Sequence, residues 1–447
     1  MRQTPPMTYA LVRSAFPLAA ALVLGSNVLA ADYLIRDGDR VVFLGDSITE
    51  QRLYTTYIEA YTLTRYPQWN VTFRNVGWGG DTSWLRQRAH PDEKALFAAE
   101  PDEQQSMVND AVKRGLERDV LPLQPTVVTI KFGMNDHSYQ PFREDIFRAY
   151  VRSQERLARV LQEAGARVAL LTPQPIEDKR PDPDKDARNL SLRKFSDGLE
   201  DVAGKTGAMF VDQFDPYLGL MMRERAADAA AFIGGGDAVH PGPAGHTLMA
   251  WAVLKGLGAG ALVSRLDIDG GAPKVTSAER CKADNLKISD GTLSFDRLDE
   301  ALPMPIDPRA KAALQLAPVL DELSRHELRV TGLTAEAYEV KIDGEVVGTV
   351  SRETLAKGWN LPDEAGPITR QSRSVLDLVF KKNDVFFRRW REVQLMSLPN
   401  WARNPVSEAG RRAEIAGLDR QIAEFEQQIA MACQPQSHQF VLTPAGR

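Results

Sequence analysis

Val41-Val42-Phe43-Leu44-Gly45-Asp46-Ser47-Ile48-Thr49-Glu50 runs from an unbroken apolar stretch, through one glycine, into a polar helix start. Four apolar residues in a row suit a central parallel strand covered on both faces. Gly45 lets the backbone turn sharply, and Ser47 then stands at the carboxyl edge of a sheet, where open α/β folds bind ligands. A helix N-terminus beside it favours developing negative charge. Such a serine is placed as a nucleophile needs to be; a Ser or Asp there also serves simply to cap the first helix.

Outward from this stretch the same alternation recurs. Val71-Thr72-Phe73-Arg74-Asn75-Val76, Val127-Val128-Thr129-Ile130-Lys131, Val168-Ala169-Leu170-Leu171 and Met209-Phe210-Val211 read as four further strands. Helical spacing fills residues 50–66, 105–119, 144–164 and 187–205, and a last helix starts near Pro243 and runs to about Leu257. Five strands with intervening helices imply right-handed crossovers and a parallel sheet with helices on both faces. The polar, proline-marked stretch from Trp84 to Gln105 reads as a loop insertion beside the carboxyl edge.

Beyond residue 262 the pattern changes. Tyr338-Glu339-Val340-Lys341-Ile342 alternates, Asp343-Gly344 turns, and Val346 to Val350 returns, a hairpin with a type I′ turn. Leu328-Arg329-Val330 adds a strand, so 262–365 reads as a small β-rich module. Residues 366–447 read as a C-terminal helical segment, with Pro399 and Pro405 separating two helices. In the second, Ile415, Leu418, Ile422, Phe425 and Ile429 form one apolar stripe that suits an internal helical hairpin. The run Lys381-Lys382 to Phe386-Phe387-Arg388-Arg389-Trp390-Arg391 reads as a helix with a solvated basic face.

The chain's 447 residues exceed one ordinary core, and 43% hydrophobic with 26% charged residues is the composition of a soluble globular protein. A net charge of −5 gives no electrostatic case for nucleic acid. Arg2 and Arg13, the apolar run Ala15 to Leu24, and Val28-Leu29-Ala30 read as a signal peptide over residues 1–30, cleaved near Ala30, with a retained anchor as the alternative. Export to the periplasm or medium, with no stable membrane insertion after cleavage, follows. Cys281 and Cys433 are the two cysteines. Export permits a disulfide between them, and two unpaired buried thiols are the alternative.

A hydrolytic serine needs a base, a group that orients the base, and donors for the oxyanion. Of six histidines, His240 stands out in Gly236-Asp237-Ala238-Val239-His240-Pro241, after the last strand and before the last helix. Asp237, three residues earlier, can reach its Nδ1 and fix the tautomer. Two glycine-containing turns offer donors: Gly77-Trp78-Gly79-Gly80-Asp81-Thr82 after the second strand, and Gly133-Met134-Asn135-Asp136 after the third.

The ordered set of Gly-Asp-Ser, Gly-Asp-Thr, Gly-x-Asn-Asp and Asp-x-x-His resembles the SGNH (GDSL-type) hydrolase superfamily over about residues 40–260, within a catalytic domain expected at 31–261. The resemblance implies a flavodoxin-like three-layer sandwich with a five-stranded parallel sheet, and no metal or organic cofactor. It implies Ser47 as nucleophile, His240 as base and Asp237 as its partner. Its oxyanion donors would be the Ser47 N–H, the Gly80 N–H (with Gly79 the neighbouring alternative) and the Asn135 side chain. The region after 262 loosely resembles the appended module of long, exported bacterial members.

Fold and triad do not choose among lipases, lysophospholipases, thioesterases and carbohydrate O-acetylesterases. Export, the appended β-rich module and the site-edge residues Trp78, Trp84, His137 and Tyr139 lean towards an acetyl ester of a polysaccharide or oligosaccharide, since aromatic rings offer sugars a stacking face. A non-catalytic glycan-binding protein on the same fold is a further alternative, and the intact quartet argues against it.

Overall fold

Residues in β1 (Arg40–Gly45) alternate between two separate apolar cores. Val41 and Phe43 pack with Tyr54, Tyr57, Leu248 and Val253, whereas Val42 and Leu44 pack with Val112, Leu116, Tyr150 and Leu157. A strand buried on both faces must lie inside a parallel sheet covered by helices, and the computed structural model, which describes residues 33–361 and 366–446, has that form. β1 pairs in parallel with β2 (Thr72–Asn75) and β3 (Val127–Lys131); β4 (Arg167–Leu171) and β5 (Met209–Val211) extend the sheet in the order β2-β1-β3-β4-β5. The expected flavodoxin-like order is borne out. Its switch point lies between β1 and β3, where the chain leaves in opposite directions and a crevice opens. The signal-peptide reading of residues 1–30 lies outside the described residues.

The stretch from Trp84 to Gln105 is not a loop. It forms helices Arg86–Ala89 and Glu93–Ala98 and the start of Pro101–Asp119. Asp92 caps the second by accepting from the Lys94 and Ala95 N–H groups, and Pro101 opens the third as a first-turn proline. The polar residues that suggested a loop are the outer faces of these helices, while Leu96, Val108 and Val112 are buried.

After the helix Pro243–Gly256, two further sheets form. β6 (Leu262–Asp269), β7 (Lys274–Glu279), β10 (Arg325–Thr331) and β13 (Trp359–Asn360) assemble in the order β13-β10-β6-β7. β8 (Cys281–Ser289), β9 (Thr292–Asp299), β11 (Ala337–Ile342), β12 (Glu345–Ser351) and β14 (Ser437–Pro444) give β12-β11-β14-β9-β8. Asp343 and Gly344 both have positive φ, as a type I′ hairpin requires.

β14 corrects the division at residue 365. The C-terminal segment is helical only as far as Ala432; its last strand inserts between β9 and β11, burying His438, Phe440 and Leu442. The helices Gly366–Phe387 and Pro405–Ala432 pack as a hairpin, with Leu418, Ile422 and Ile429 buried along the expected stripe. Cys281 and Cys433 are both free and buried, so no disulfide ties the chain.

The basic run is a solvated face only in part: Lys381 and Arg388 are exposed. Lys382, Phe386 and Trp390 are buried against the α/β domain, where Lys382 Nζ reaches Glu59 Oε1 at 2.6 Å and the Phe73 carbonyl at 3.1 Å. Arg74 of β2 pairs with Glu426 at 2.7 Å from the other arm of the hairpin. Of the run's charges, Lys382 and Arg391 face Glu59 and Glu50 across the interface with the α/β domain, whereas Arg388 and Arg389 pair with Glu414 and Asp419 on the other arm of the hairpin. Among the described residues no helix is long and apolar enough to cross a membrane.

Candidate active site

Gly45 ends β1 where any side chain would collide: a Cβ there would lie 2.2 Å from Thr49 Oγ1 and 2.7 Å from the Lys131 carbonyl. Asp46 then takes an extended conformation and accepts the Ile48 N–H at 3.0 Å, starting the one-turn helix Ser47–Glu50. Ser47 is the first residue of that helix, so its N–H has no helical acceptor. Its Oγ lies 2.9 Å from His240 Nε2, and His240 Nδ1 lies 3.1 Å from Asp237 Oδ2.

The loop that delivers His240 is tightly closed. Gly236 has φ +78° and pairs with Pro241 in an isolated bridge, and a Cβ on it would fall 2.3 Å from the His240 carbonyl. Asp237 Oδ1 accepts from the N–H groups of Val239 and His240 at 2.8 Å, leaving Oδ2 for the imidazole. Burial pushes the Asp237 carboxyl up, but those N–H groups and the imidazole outweigh it and hold it below its ordinary value. It therefore stays ionised, as an orienting carboxylate must.

The two glycine-containing turns reach the same edge. Gly79 N–H donates to Glu50 Oε2 at 2.9 Å, whereas Gly80 N–H has no acceptor among the described residues. This distinguishes the two neighbouring candidates: Gly80 has the free donor. Gly80 sits at φ +75°, and its carbonyl is held by Arg86 Nε at 3.0 Å. Asn135 Nδ2 donates to the Asp81 carbonyl at 2.9 Å and keeps a second hydrogen; its Oδ1 accepts from Tyr139 Oη at 3.1 Å. Burial raises the Tyr139 phenol to about 12, so it remains a donor. Asp136 joins the two turns, accepting Ser83 N–H at 2.9 Å and Gly133 N–H at 3.0 Å, and burial raises it to about 6.

Three of the aromatic and histidine candidates for substrate contact are corrected. Trp84 is 1% exposed, with Nε1 bonded to Glu93 at 2.8 Å and its ring against Phe97. His137 is buried with Nδ1 3.1 Å from the Gly133 carbonyl, and burial lowers it to about 4. Trp78 is buried under a layer of arginines. Each follows a strand's carboxyl end, but the turn rotates its ring inward to fill space beneath the loop. Tyr139 alone of the four is exposed.

Residues that sequence reasoning passed over lie beneath the site. Lys131, at the end of β3, stands 3.7 Å from Asp46 Oδ1, both fully buried, so a charge pair lies under the nucleophile turn. It reads in sequence as one more strand residue. His246 accepts the Tyr54 N–H on Nδ1 at 3.2 Å and donates from Nε2 to Gln51 at 2.8 Å; burial lowers it to about 3, so it is a neutral strut.

Residues 43–248 match the GDSL-like lipase/acylhydrolase family. An acetylxylan esterase of Geobacillus stearothermophilus is 25% identical over 248 residues, which are 50% of this chain and 96% of that protein. Among solved structures, BT4096, described as a gut microbial diltiazem-metabolizing enzyme, is 23% identical with a TM-score of 0.74, covering 92% of this chain and 98% of its own. The fold of nearly the whole chain is therefore shared with that protein. The crystal structure of Axe2, the acetylxylan esterase from Geobacillus stearothermophilus, is 23% identical with a TM-score of 0.38 over 50% of this chain.

Proposed function

The chain belongs to the SGNH (GDSL-type) hydrolase superfamily and is an ester hydrolase, and from that premise we propose that it is a carbohydrate O-acetylesterase working through an acyl-enzyme on Ser47. The observation that carries this reading is the 2.9 Å approach of Ser47 Oγ to His240 Nε2, with Asp237 on the opposite ring nitrogen. His240 takes the Ser47 proton as Oγ attacks the acetyl carbonyl. The resulting oxyanion is met by the N–H groups of Ser47 and Gly80 and by the second Asn135 Nδ2 hydrogen, each such donor being worth about 3–4 kcal/mol in the transition state. His240 then gives the proton to the departing sugar oxygen as its bond to the acetyl carbon breaks, leaving acetyl on Ser47. A water deprotonated by His240 attacks that acetyl carbon, acetate leaves, and His240 returns the proton to Ser47 Oγ.

The acetyl and carbohydrate parts rest on three further observations. A cavity of about 770 Å³, lined by Lys179, the exposed Phe232, Asp237 and Ala238, opens beside the loop that carries His240. The helices of residues 86–98 beside the site carry Arg86, Arg88, Glu93 and Lys94, which suits no apolar lid. The relative from Geobacillus stearothermophilus is named for an acetylated xylan.

The test compares 4-nitrophenyl acetate with longer acyl esters, then acetylated xylan, using wild type and Ser47→Ala. Acetate release that falls steeply with acyl length, and is lost in Ser47→Ala, is expected. A preference for long acyl chains would move the reading to a lipase or thioesterase, and full activity in Ser47→Ala would remove the assigned nucleophile.

A further inference from the structure

The C-terminal hairpin reaches the nucleophile turn itself. The helix Gly366–Phe387 continues as seven residues of π-helix, Arg388–Gln394, a wide geometry that recurs at functional positions. Two clasps extend from it. Arg52, at φ +61°, donates to the Glu50 carbonyl at 3.0 Å, pairs with Asp384 at 3.2 Å and stacks 4.2 Å over Phe387. Arg391 lies 3.9 Å over the Trp78 ring, and its Nε is 3.5 Å from Glu50 Oε1. The other Glu50 oxygen is the one that accepts Gly79 N–H.

We propose that Arg391 and Glu50 are positioning residues for the oxyanion loop, so that the C-terminal hairpin sets where the Gly80 N–H points. Packing within the loop cannot do this. Gly77 and Gly79 carry no side chains, and none would fit: a Cβ would lie 2.3 Å from Glu50 N at Gly77 and 2.7 Å from Glu50 Oε2 at Gly79. The loop is held by Trp78 N–H on the Gly45 carbonyl at 2.9 Å, by Gly77 N–H on Asn75 Oδ1 at 2.9 Å, by Arg86 Nε on the Gly80 carbonyl at 3.0 Å and Asn135 Nδ2 on the Asp81 carbonyl at 2.9 Å, by the Glu50 carboxylate, and by the Trp78 ring. Arg391 touches two of these holds, the Glu50 carboxylate and the Trp78 ring. Trp390 adds a third contact, edge-on to Trp78 at 6.0 Å between centroids. Without the Arg391 charge, the Glu50 carboxylate loses the cation that turns it towards the loop, and Gly79 N–H loses its fixed acceptor. Gly80, the next residue, then moves relative to the Ser47 carbonyl adduct. A misplacement of about 1 Å at a reacting centre costs up to about 100-fold; with two donors intact, a loss of about 10-fold in kcat is expected.

The inference rests on reading Ser47 as nucleophile and Gly80 as donor. The full chain is assayed on 4-nitrophenyl acetate as wild type, Arg391→Met, Arg391→Lys, Glu50→Gln, the Arg391→Met/Glu50→Gln pair, Ser47→Ala and Arg389→Ala. Arg389 lies in the same π-helical segment but pairs with Asp419 on the other arm, at 2.8 Å. Expected are a kcat about 10-fold lower in Arg391→Met with KM within twofold, recovery of most of that loss in Arg391→Lys, a double variant no worse than its worse single, and an unaffected Arg389→Ala. A folded Arg391→Met with kcat within twofold of wild type would overturn the proposal, as would an equal loss in Arg389→Ala. If Arg391→Met does not fold, Glu50→Gln decides by the same twofold limit. Wild type active and Ser47→Ala inactive beside an unaffected Arg391→Met removes this inference alone; a wild type that hydrolyses no ester removes the functional reading with it.

Discussion

Two sets of serine, aspartate and histidine are joined by hydrogen bonds among the described residues, and their difference lies in order and exposure rather than composition. In the first, His240 stands between Ser47 and Asp237, and the side chains of His240 and Asp237 are 36% and 66% exposed. In the second, Asp299 stands in the middle: Ser264 Oγ donates to Asp299 Oδ1 at 2.6 Å, and His326 Nε2 meets Oδ2 at 2.9 Å. Arg297 closes that set, reaching Asp299 at 2.9 Å and Ser264 Oγ at 2.8 Å, all within the β-rich part of the chain. Burial pushes the Asp299 carboxyl up, but Arg297 and His326 outweigh it and hold it far below the usual carboxylate range. So weak a base cannot take a serine proton. The second set ties β6, β9 and β10 together; the first is open to solvent, with an imidazole nitrogen beside the serine. The same residue types make a strut or, in the proposed function, a reaction centre according to which of them stands in the middle.

Breaking each set therefore changes a different measurement. Ser47→Ala should lower kcat on 4-nitrophenyl acetate by about 10⁶-fold, of the order seen when a hydrolase serine is removed, while Ser264→Ala leaves kcat within twofold in the folded fraction. Asp299→Asn leaves Arg297 as a buried charge without its carboxylate, which costs about 3–5 kcal/mol; urea midpoints should fall accordingly, with activity per folded molecule retained. A large kcat loss in Asp299→Asn would mean that the second set is coupled to the first. Asp237→Asn should cost about 100-fold in kcat, less than in a buried triad, because solvent reaches Asp237 and can partly replace it around the imidazole. Unchanged Tm with that loss would mark Asp237 as an orienting group.

What could be read in the sequence follows the range over which each feature is determined. β1, Gly45 and Ser47 are local: an apolar run, a turn and a helix start lie within ten residues, and the structure has that strand and helix. Asp237 and His240 are also local, since a three-residue spacing across one loop sets their contact. The inward turn of Trp84 was hidden because polar residues on the outside of a helix read like a loop. β14 was hidden because eight residues after a long helix carry little weight until β9 and β11 are seen to leave a gap for them. Arg391 over Trp78 depends on the docking of a hairpin, and a basic run in isolation looks like a solvated face.

The smallest expected effect uses pH to separate the histidine of the buried set. Burial lowers His326 from its ordinary value, with Asp299 opposing and Arg297 adding to the fall, so the folded chain keeps it neutral where the unfolded chain has it charged. Between the ordinary imidazole value near pH 6.5 and the lowered folded value, the unfolded state binds one more proton. Stability from this group is thus fully present above about pH 6.5 and declines as the pH falls, by at most about 1.4 kcal/mol per pH unit. Other buried groups titrate in the same range, among them His137 and His246, lowered by burial, and Asp136, raised by it. The informative quantity is therefore the difference between wild type and His326→Gln, which cancels them. Urea unfolding at pH 7, 6 and 5 should show wild type losing more stability on acidification than the variant does, whatever their offset at pH 7. Parallel declines would mean that Asp299 keeps His326 protonated in the folded state, as an imidazolium–carboxylate pair inside the β-rich module.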